Sequence, residues 1–304
     1  MYEIIYHDQI KSILDQEFAK VRDNLQIVSA YCTRSALEYV DSIILATPGT
    51  KRLMVRFRLG DILAGATDFS IYEYCKQHGW DLFIQFDLHA KTFIFDKKRW
   101  VVGSANLTSK GIGLVDDCNL EMAVLADVDE IELQKIAAMF DRSTQMTDEL
   151  YALMKKQVKN ANADNGNTME WSGEILDSAN NEITTLFTQD FPKSKSPYSI
   201  LPDDYLLLRL PNEVVDESAV KSAFMSTIGF KWLVQILKNT ENNQLYFGAI
   251  TAQLHNALVN DPRPYRKEVK DLLGNLLNWI AELDIESIKI ERPNHSQCVT
   301  LLVS

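Results

Sequence analysis

The chain has 304 residues, 46% hydrophobic and 24% charged, with a formal net charge of −11. That length holds one large domain or two ordinary ones with a sizeable core, and its apolar runs fall short of the ~20 residues that span a bilayer. The acidic balance argues against a surface coated in cations for tight, indiscriminate DNA binding, while leaving room for a local basic groove. Met1 to Asp8 has neither the basic start nor the apolar core of a secretory signal. Cys32, Cys75, Cys118 and Cys298 form no C-x-x-C pair, and no histidine stands at ligand spacing from them. Disulfides and zinc are disfavoured, and a reducing, cytoplasmic setting is expected.

Ile10, Ile13, Leu14, Phe18 and Val21 recur at helical spacing, which predicts a helix over 8–22. A strand follows at 25–30, then a helix from Thr33 to Ile44, a strand at 53–57, and a helix at 69–77 capped by Asp68 and closed by Gly79. Asp81 to Phe86 reads as a strand. This alternation implies parallel strands in a sheet covered on both faces. Thr92–Phe95 and Trp100–Val102 flank the polar turn Asp96-Lys97-Lys98-Arg99 and predict a hairpin. A strand at 120–125 and an amphipathic helix at 130–140 complete an α/β domain over 1–145. Residues 146–160 read as a connecting helix, and the turn-rich run at 160–168 as a linker. The remainder, 169–304, reads as a smaller α+β domain: a strand at 205–210, helix over 220–238, helices at 251–259 and 265–283, and strands at 287–291 and 297–303. From about 246 that order suggests a winged-helix-like module. Removing everything from about 165 onward is expected to leave a soluble first domain.

The stretch that carries chemistry is His89-Ala90-Lys91, followed by Gly103-Ser104-Ala105-Asn106. Side chains at i and i+2 of a strand share a face, so His89 pairs with Lys91 and Ser104 with Asn106. The hairpin folds the second pair toward the first. An imidazole can attack phosphorus. Lys91, Ser104 and Asn106 supply donors for non-bridging oxygens, where charge develops in the transition state, and Gly103 permits close backbone approach. The set calls for no divalent metal and no cofactor.

H-x-K, four residues, Asp96, six residues, G-S-x-N, with the trailing Asn119-x-Glu121, resembles the signature of the phospholipase D superfamily over roughly residues 5–142. The resemblance implies a phospholipase D-like mixed sheet covered by helices. It also implies a metal-independent phosphodiesterase working through a phosphohistidine on His89, with Lys91, Ser104 and Asn106 on the phosphoryl oxygens and Glu121 orienting the imidazole. Asp96, Gly103 and Asn119 belong to the motif as structural positions. Family enzymes use two H-x-K motifs, whereas this chain has one, which implies a homodimer whose two His89 side chains share one site. Single-motif members fused to a second domain resemble restriction or phage-defence nucleases. A nuclease acting on nucleic acid, DNA above RNA, is therefore expected, with a helicase or ATPase supplied by a partner.

Around this site, Tyr31, Arg56 and Arg58 are candidate substrate contacts, although core packing for Tyr31 and ordinary salt bridges for the arginines come first as explanations. Arg266, Lys267 and Lys270, with Arg263, Lys289 and Arg292, could meet phosphates, and Asn294-His295 could tip a wing into a groove. Acidic neighbours dilute that charge. His7, His78 and His255 read as surface or loop residues. Two rival readings stand: a non-catalytic nucleic-acid or protein-binding subunit of a defence complex, and a lipid phospholipase or phosphatidyl transferase, which would need an exposed apolar entrance.

Overall fold

A computed structural model describes residues 2–163, 169–179, 182–211, 216–260, 262–293 and 296–302. The chain divides into two compact units, 1–181 and 182–304.

The first unit runs β1 (Tyr2–Tyr6), α1 (His7–Lys20), β2 (Asn24–Ser29), α2 (Arg34–Ile43), β3 (Thr50–Val55), α3 (Leu59–Leu63), α4 (Ile71–His78), β4 (Asp81–Ile84), β5 (Lys91–Phe95), β6 (Arg99–Gly103), β7 (Met122–Asp127), α5 (Glu130–Asp141), β8 (Thr144–Gln145), α6 (Asp148–Ala163) and α7 (Gly173–Ser178). Its eight strands are ordered β1-β7-β6-β5-β2-β3-β4-β8. β2, β3 and β4 are parallel, as the strand–helix alternation predicts, and the other pairings are antiparallel. All of β2 but Asn24 is buried, Gln26 and Ser29 included, because the strand is central and covered on both faces. Ile27, Leu53 and Phe93 face one side, with Leu14, Phe18, Leu37 and Val40 from α1 and α2. Val28, Met54 and Ile94 face the other, under Ile136 and Phe140 of α5.

The fold departs from the sequence expectations in several places. β1, unforeseen, pairs along its whole length with β7. Asp68 does not cap the helix that follows it. Its carboxylate accepts the Arg34 backbone N–H at 2.7 Å and so caps α2, because Asp68 and α2 meet in space although 34 residues apart. The run at 146–179 is no bridge between domains. Met146, Leu150, Tyr151, Met154, Trp171 and Ile175 all pack in the first core, and the indole N–H of Trp171 donates to Phe57 O at 2.6 Å. The first unit therefore ends at 181, not 145; of the expected linker, residues 164–168 lie outside the described residues.

The hairpin turn is pinned by one carboxylate. Asp96 and Lys97 both adopt left-handed backbone conformations, with φ of 49° and 56°, which Asp tolerates better than most residues. The Asp96 carboxylate then accepts the backbone N–H groups of Arg22, Asp23 and Asn24 at 2.8–3.2 Å, which fixes the hairpin to the start of β2. Partial burial pushes its pKa up, but the three backbone donors outweigh that and hold it below the ordinary carboxylate value.

In the second unit, α8 (Pro202–Leu208) and α9 (Glu217–Met225) precede α10 (Ile228–Lys238), β9 (Gln244–Tyr246), α11 (Phe247–Ala257), α12 (Arg266–Glu282), β10 (Ile288–Glu291) and β11 (Cys298–Leu301). The strand expected at 205–210 is the helix α8. Pro202 in its first turn presets the helical φ, and the buried Asp204 carboxylate accepts Lys193, Ser194 and Leu201 N–H at 2.6–3.1 Å. From α10 onward the order is helix, strand, helix, helix, strand, strand, with sheet order β10-β11-β9. Its core gathers around Trp232, Leu273, Leu276 and Trp279. The expected wing tip at Asn294-His295 lies outside the described residues.

Two outcomes follow. Asp96→Ala should destabilise the chain by about 1–3 kcal/mol at neutral pH, as expected for charge-assisted bonds lost, read as a lower urea midpoint. Because the folded-state pKa is depressed, the carboxylate stabilises fully above the ordinary carboxylate value, and its contribution disappears as pH falls through the folded one. The gap between wild type and variant should therefore close in acid. A chain ending at 181 should melt cooperatively. One ending at 165 lacks Trp171 and Ile175 and should melt lower or aggregate; equal melting of the two would contradict the place given to 169–179 in this core.

Candidate active site

The C-terminal ends of parallel β2, β3 and β4 open on one edge of the sheet, where ligands of α/β sheets commonly sit. Antiparallel β5 starts on that edge and β6 ends on it. The edge therefore collects Tyr31 after β2, Arg56 after β3, His89 and Lys91 at the start of β5, and Ser104 and Asn106 after β6. Of the motif's side chains only Lys91 stands in a strand. His89, Ser104 and Asn106 lie just beyond strand ends, so strand periodicity does not orient them and specific bonds do.

Asn106 is the best-held of these. The Tyr31 backbone N–H donates to its Oδ1 at 3.0 Å. An N–H needs an oxygen to receive it, so the carboxamide is turned with its NH₂ outward. The loop around it is sewn to β2. Ser29, fully buried, donates to Tyr31 O at 2.5 Å and accepts Leu107 N–H at 2.8 Å, while Thr33 N–H donates to Leu107 O at 3.0 Å. Gly111 closes the loop: a Cβ there would stand 2.3 Å from Asn106 O. Ser29 and Gly111 escaped the sequence reading. Their only traces are a hydroxyl ending an apolar run and a glycine five residues after Asn106.

Gly103 is needed for packing between strands. A Cβ there would meet Met122 O at 2.4 Å and the Ala123 Cβ at 2.5 Å across the β6–β7 ladder.

Ser104, Asn119 and Glu121 form one cluster. The Ser104 hydroxyl donates to Glu121 Oε2, and Asn119 Nδ2 donates to Glu121 Oε1 at 3.0 Å. Met122 N–H donates to Ser104 Oγ at 3.1 Å. Glu121 is buried, yet both its oxygens are satisfied. Within one chain it is bonded to Ser104 and Asn119, not to His89. The His89 side chain is exposed, and among the described residues its imidazole has no hydrogen-bond partner. Its backbone carbonyl accepts the Lys91 ammonium at 2.6 Å.

Lys91 is the exposed edge's half-buried cation. Burial, and then the neighbouring Arg56, hold its pKa below the usual lysine value against the opposing pull of Glu121. Arg56 forms a bidentate pair with Asp61 at 2.7 and 3.0 Å. It also donates to the Tyr31 hydroxyl and lies 4.7 Å from that ring's centre. Arg58 donates to Phe86 O at 2.6 Å and to Asp87 at 3.3 Å, on the segment leading to His89. Beside Asn106, Tyr31, Thr33, Ala66, Thr108 and Lys110 line a cleft of about 390 Å³. Arg266, Lys267 and Lys270 are exposed on α12 in the second unit. Among the described residues no group of three His, Cys, Asp or Glu side chains could hold a metal ion.

The electrostatics of this edge can be tested without knowing the natural substrate. Activity should decline on the alkaline side below the usual lysine range, as Lys91 loses its proton. Arg56→Gln removes the positive neighbour that favours that loss, so the alkaline limb should move to higher pH. An unmoved limb in the variant's pH–rate profile would dissociate it from Lys91.

Residues 9–144 match the family described as cardiolipin synthase, PLD-like domain. No curated protein matches the sequence significantly. Among solved structures, NucT from Helicobacter pylori is 13% identical with a TM-score of 0.36, covering 46% of this chain and 92% of its own. Nuc from Salmonella typhimurium, described as a phospholipase D family member, is 14% identical with a TM-score of 0.36, covering 49% and 99%. The phosphatidylserine synthase of Haemophilus influenzae is 11% identical with a TM-score of 0.39, covering 56% and 45%.

Proposed function

Because the first unit of this chain belongs to the phospholipase D superfamily through residues 9–144, we propose that it is a phosphodiesterase in which His89 attacks phosphorus. What supports this reading is the sheet edge on which the Lys91 ammonium donates to the His89 carbonyl and Lys91 stands in register with Ser29, whose hydroxyl lies beside the Asn106 carboxamide. His89 forms a nitrogen–phosphorus bond as the phosphorus–oxygen bond to the leaving group breaks, and water then releases the phosphohistidine. Lys91 and Asn106 stabilise the charge on the non-bridging oxygens. The Ser104 hydroxyl is bonded to Glu121, which makes it first a positioning group for that carboxylate.

In-line displacement puts the attacking and leaving atoms on opposite sides of phosphorus. One imidazole cannot occupy both. The leaving oxygen is protonated by a second His89, from another copy of the chain around a two-fold axis. A lone, unoriented His89 in the single chain supports this composite homodimer site.

The substrate is nucleic acid, DNA above RNA. What supports that is the winged-helix order of the second unit, with exposed Arg266, Lys267 and Lys270 on its third helix, α12. A setting in restriction or phage defence, with a helicase or ATPase partner, rests on the sequence resemblance. Lipid hydrolysis is a second reading, favoured by one observation: apolar side chains stand exposed on strands β1 and β7, close to Ser104. Among the described residues no helix is long and apolar enough to cross a membrane.

Labelled DNA and RNA should be cut in excess EDTA, because His89 supplies the nucleophile and Lys91 and Asn106 the hydrogen-bond donors without a metal ion. His89→Ala should abolish cutting with the fold intact, and Lys91→Ala and Asn106→Ala should each lower kcat on the order of 100-fold. Near-normal cutting by His89→Ala, or an absolute need for magnesium, would defeat the histidine mechanism. Formation of phosphatidic acid with release of the headgroup alcohol from phospholipid vesicles, with no cut nucleic acid, would establish the lipid reading instead.

A further inference from the structure

The cleft beside Asn106 has a volume of about 390 Å³, room for one small organic group. Of the reacting groups Asn106 alone lines it, and Asn106 ties it to the reacting edge, since the Ser29 hydroxyl, in register with Lys91, lies 3.5 Å from its Oδ1. The wall is built of groups that hydrogen-bond without charge. Thr33 heads α2, yet its hydroxyl makes no capping bond, because the Asp68 carboxylate takes the Arg34 N–H instead. Among the described residues the Thr33 oxygen accepts a 3.3 Å bond from Ser35, and its own proton is free to donate. Thr108 is in the same state, its oxygen accepting the Gly111 N–H at 3.1 Å. Asn119 donates through Nδ2 to Glu121, which leaves its carbonyl oxygen as an acceptor. The cation of this wall, Lys110, is paired with Asp117 at 2.6 Å. Among the described residues no Leu, Ile, Val, Met or Phe lines the cleft. Its aromatic surface is Tyr31, a ring held in place by Arg56, which donates to its hydroxyl and lies 4.7 Å from its centre.

We infer that this cleft is the subsite for the nucleoside next to the scissile phosphate, and that it admits that nucleoside only unpaired, so that the chain cuts single strands in preference to duplexes; the inference rests on the nuclease reading above. The wall selects the occupant by exclusion and by fit. A diacylglycerol needs aliphatic side chains around it, and the described wall offers none. A second phosphate needs an uncommitted cation, and Lys110 is committed to Asp117. A sugar and its base present what this wall answers: a flat face to stack on Tyr31, and a mixture of donors and acceptors for Thr33, Thr108 and Asn119. Pairing prevents that fit. A base inside a duplex is stacked on both faces and has its pairing edge occupied by its complement. Only an unpaired base turns its ring toward Tyr31 and its edge toward the hydroxyls. Ala66 keeps its part of the wall small, which leaves the cleft its width.

The test uses the full-length chain in EDTA with a fluorescein-labelled oligonucleotide, single-stranded or annealed to its complement. Binding is read by fluorescence anisotropy in a His89→Ala background, which leaves the strand whole, and cutting is read with His89 in place. The wild type should cut the single strand about 10-fold or more faster than the duplex, the factor that stacking of one base supplies. Ala66→Leu narrows the cleft and should raise the dissociation constant of the single strand about 10-fold more than that of the duplex, with the loss in cutting appearing in KM and not in kcat. Thr33→Val keeps the size of the side chain, removes its hydroxyl and should give a loss of the same kind of roughly 3-fold. Leu45→Glu, on a residue 76% exposed after α2, should change none of these. Circular dichroism checks that Ala66→Leu is folded; if it is not, Thr33→Val, which takes no capping bond from α2, decides the matter. Folded variants that lose nothing, or lose single-strand and duplex binding alike, overturn the assignment of the cleft. A wild type that cuts both forms at one rate overturns the requirement for an unpaired base. Phosphatidylglycerol vesicles that bind the wild type and not Ala66→Leu, while the single strand binds both equally, overturn the inference in favour of lipid. Selective loss of single-strand binding in a chain that cuts no phosphodiester leaves the subsite standing and removes the enzymatic reading alone.

Discussion

The hydroxyl of Ser29 is the small bond on which the site depends. Fully buried at the end of the central strand, it holds the carbonyl of Tyr31 and the N–H of Leu107 together. The chain leaving β6 is thereby laid across the end of β2, where the Tyr31 N–H can seize the Asn106 carbonyl oxygen. A carboxamide on a loop would otherwise rotate freely. Here the backbone decides which of its ends faces outward, and Gly111 lets the return of the loop pass against Asn106 with no room for a side chain.

Around that fixed donor, electrostatics grade the other groups. Arg56 is neutralised by Asp61 and stacked near Tyr31, so it is held back from the open position while still lowering the affinity of Lys91 for its proton. Glu121 is buried with both oxygens bonded, which spares the site an unpaired buried charge. His89 alone is left without a bonded partner among the described residues.

Residue type and spacing in the sequence determined the alternating strands and helices of the first unit and the hairpin that joins the two halves of the motif. They did so because periodicity, turn chemistry and a fixed run of typed residues are local properties. The same local reading reached helices α11 and α12 and strands β10 and β11 of the second unit, but not the short strand β9. It took Tyr205–Leu210 for a strand because a short apolar run has no period to distinguish it, although Pro202 marked the helix start.

Only the tertiary structure decided what depends on residues far apart in the chain. Asp96 serves as a clamp because Arg22 to Asn24 arrive beside it. Asp68 caps a helix that begins before it in sequence. Trp171 belongs to the first core because it reaches Phe57 O, 114 residues earlier. Glu121 bonds Ser104 and Asn119 instead of His89, and Gly103 is required by Met122 and Ala123 on the neighbouring strand. A hydrogen bond or a close packing contact has a range of a few ångströms, and which atoms come within it is set by how the sheet brings distant segments together. That information is absent from the spacing of residues along the chain.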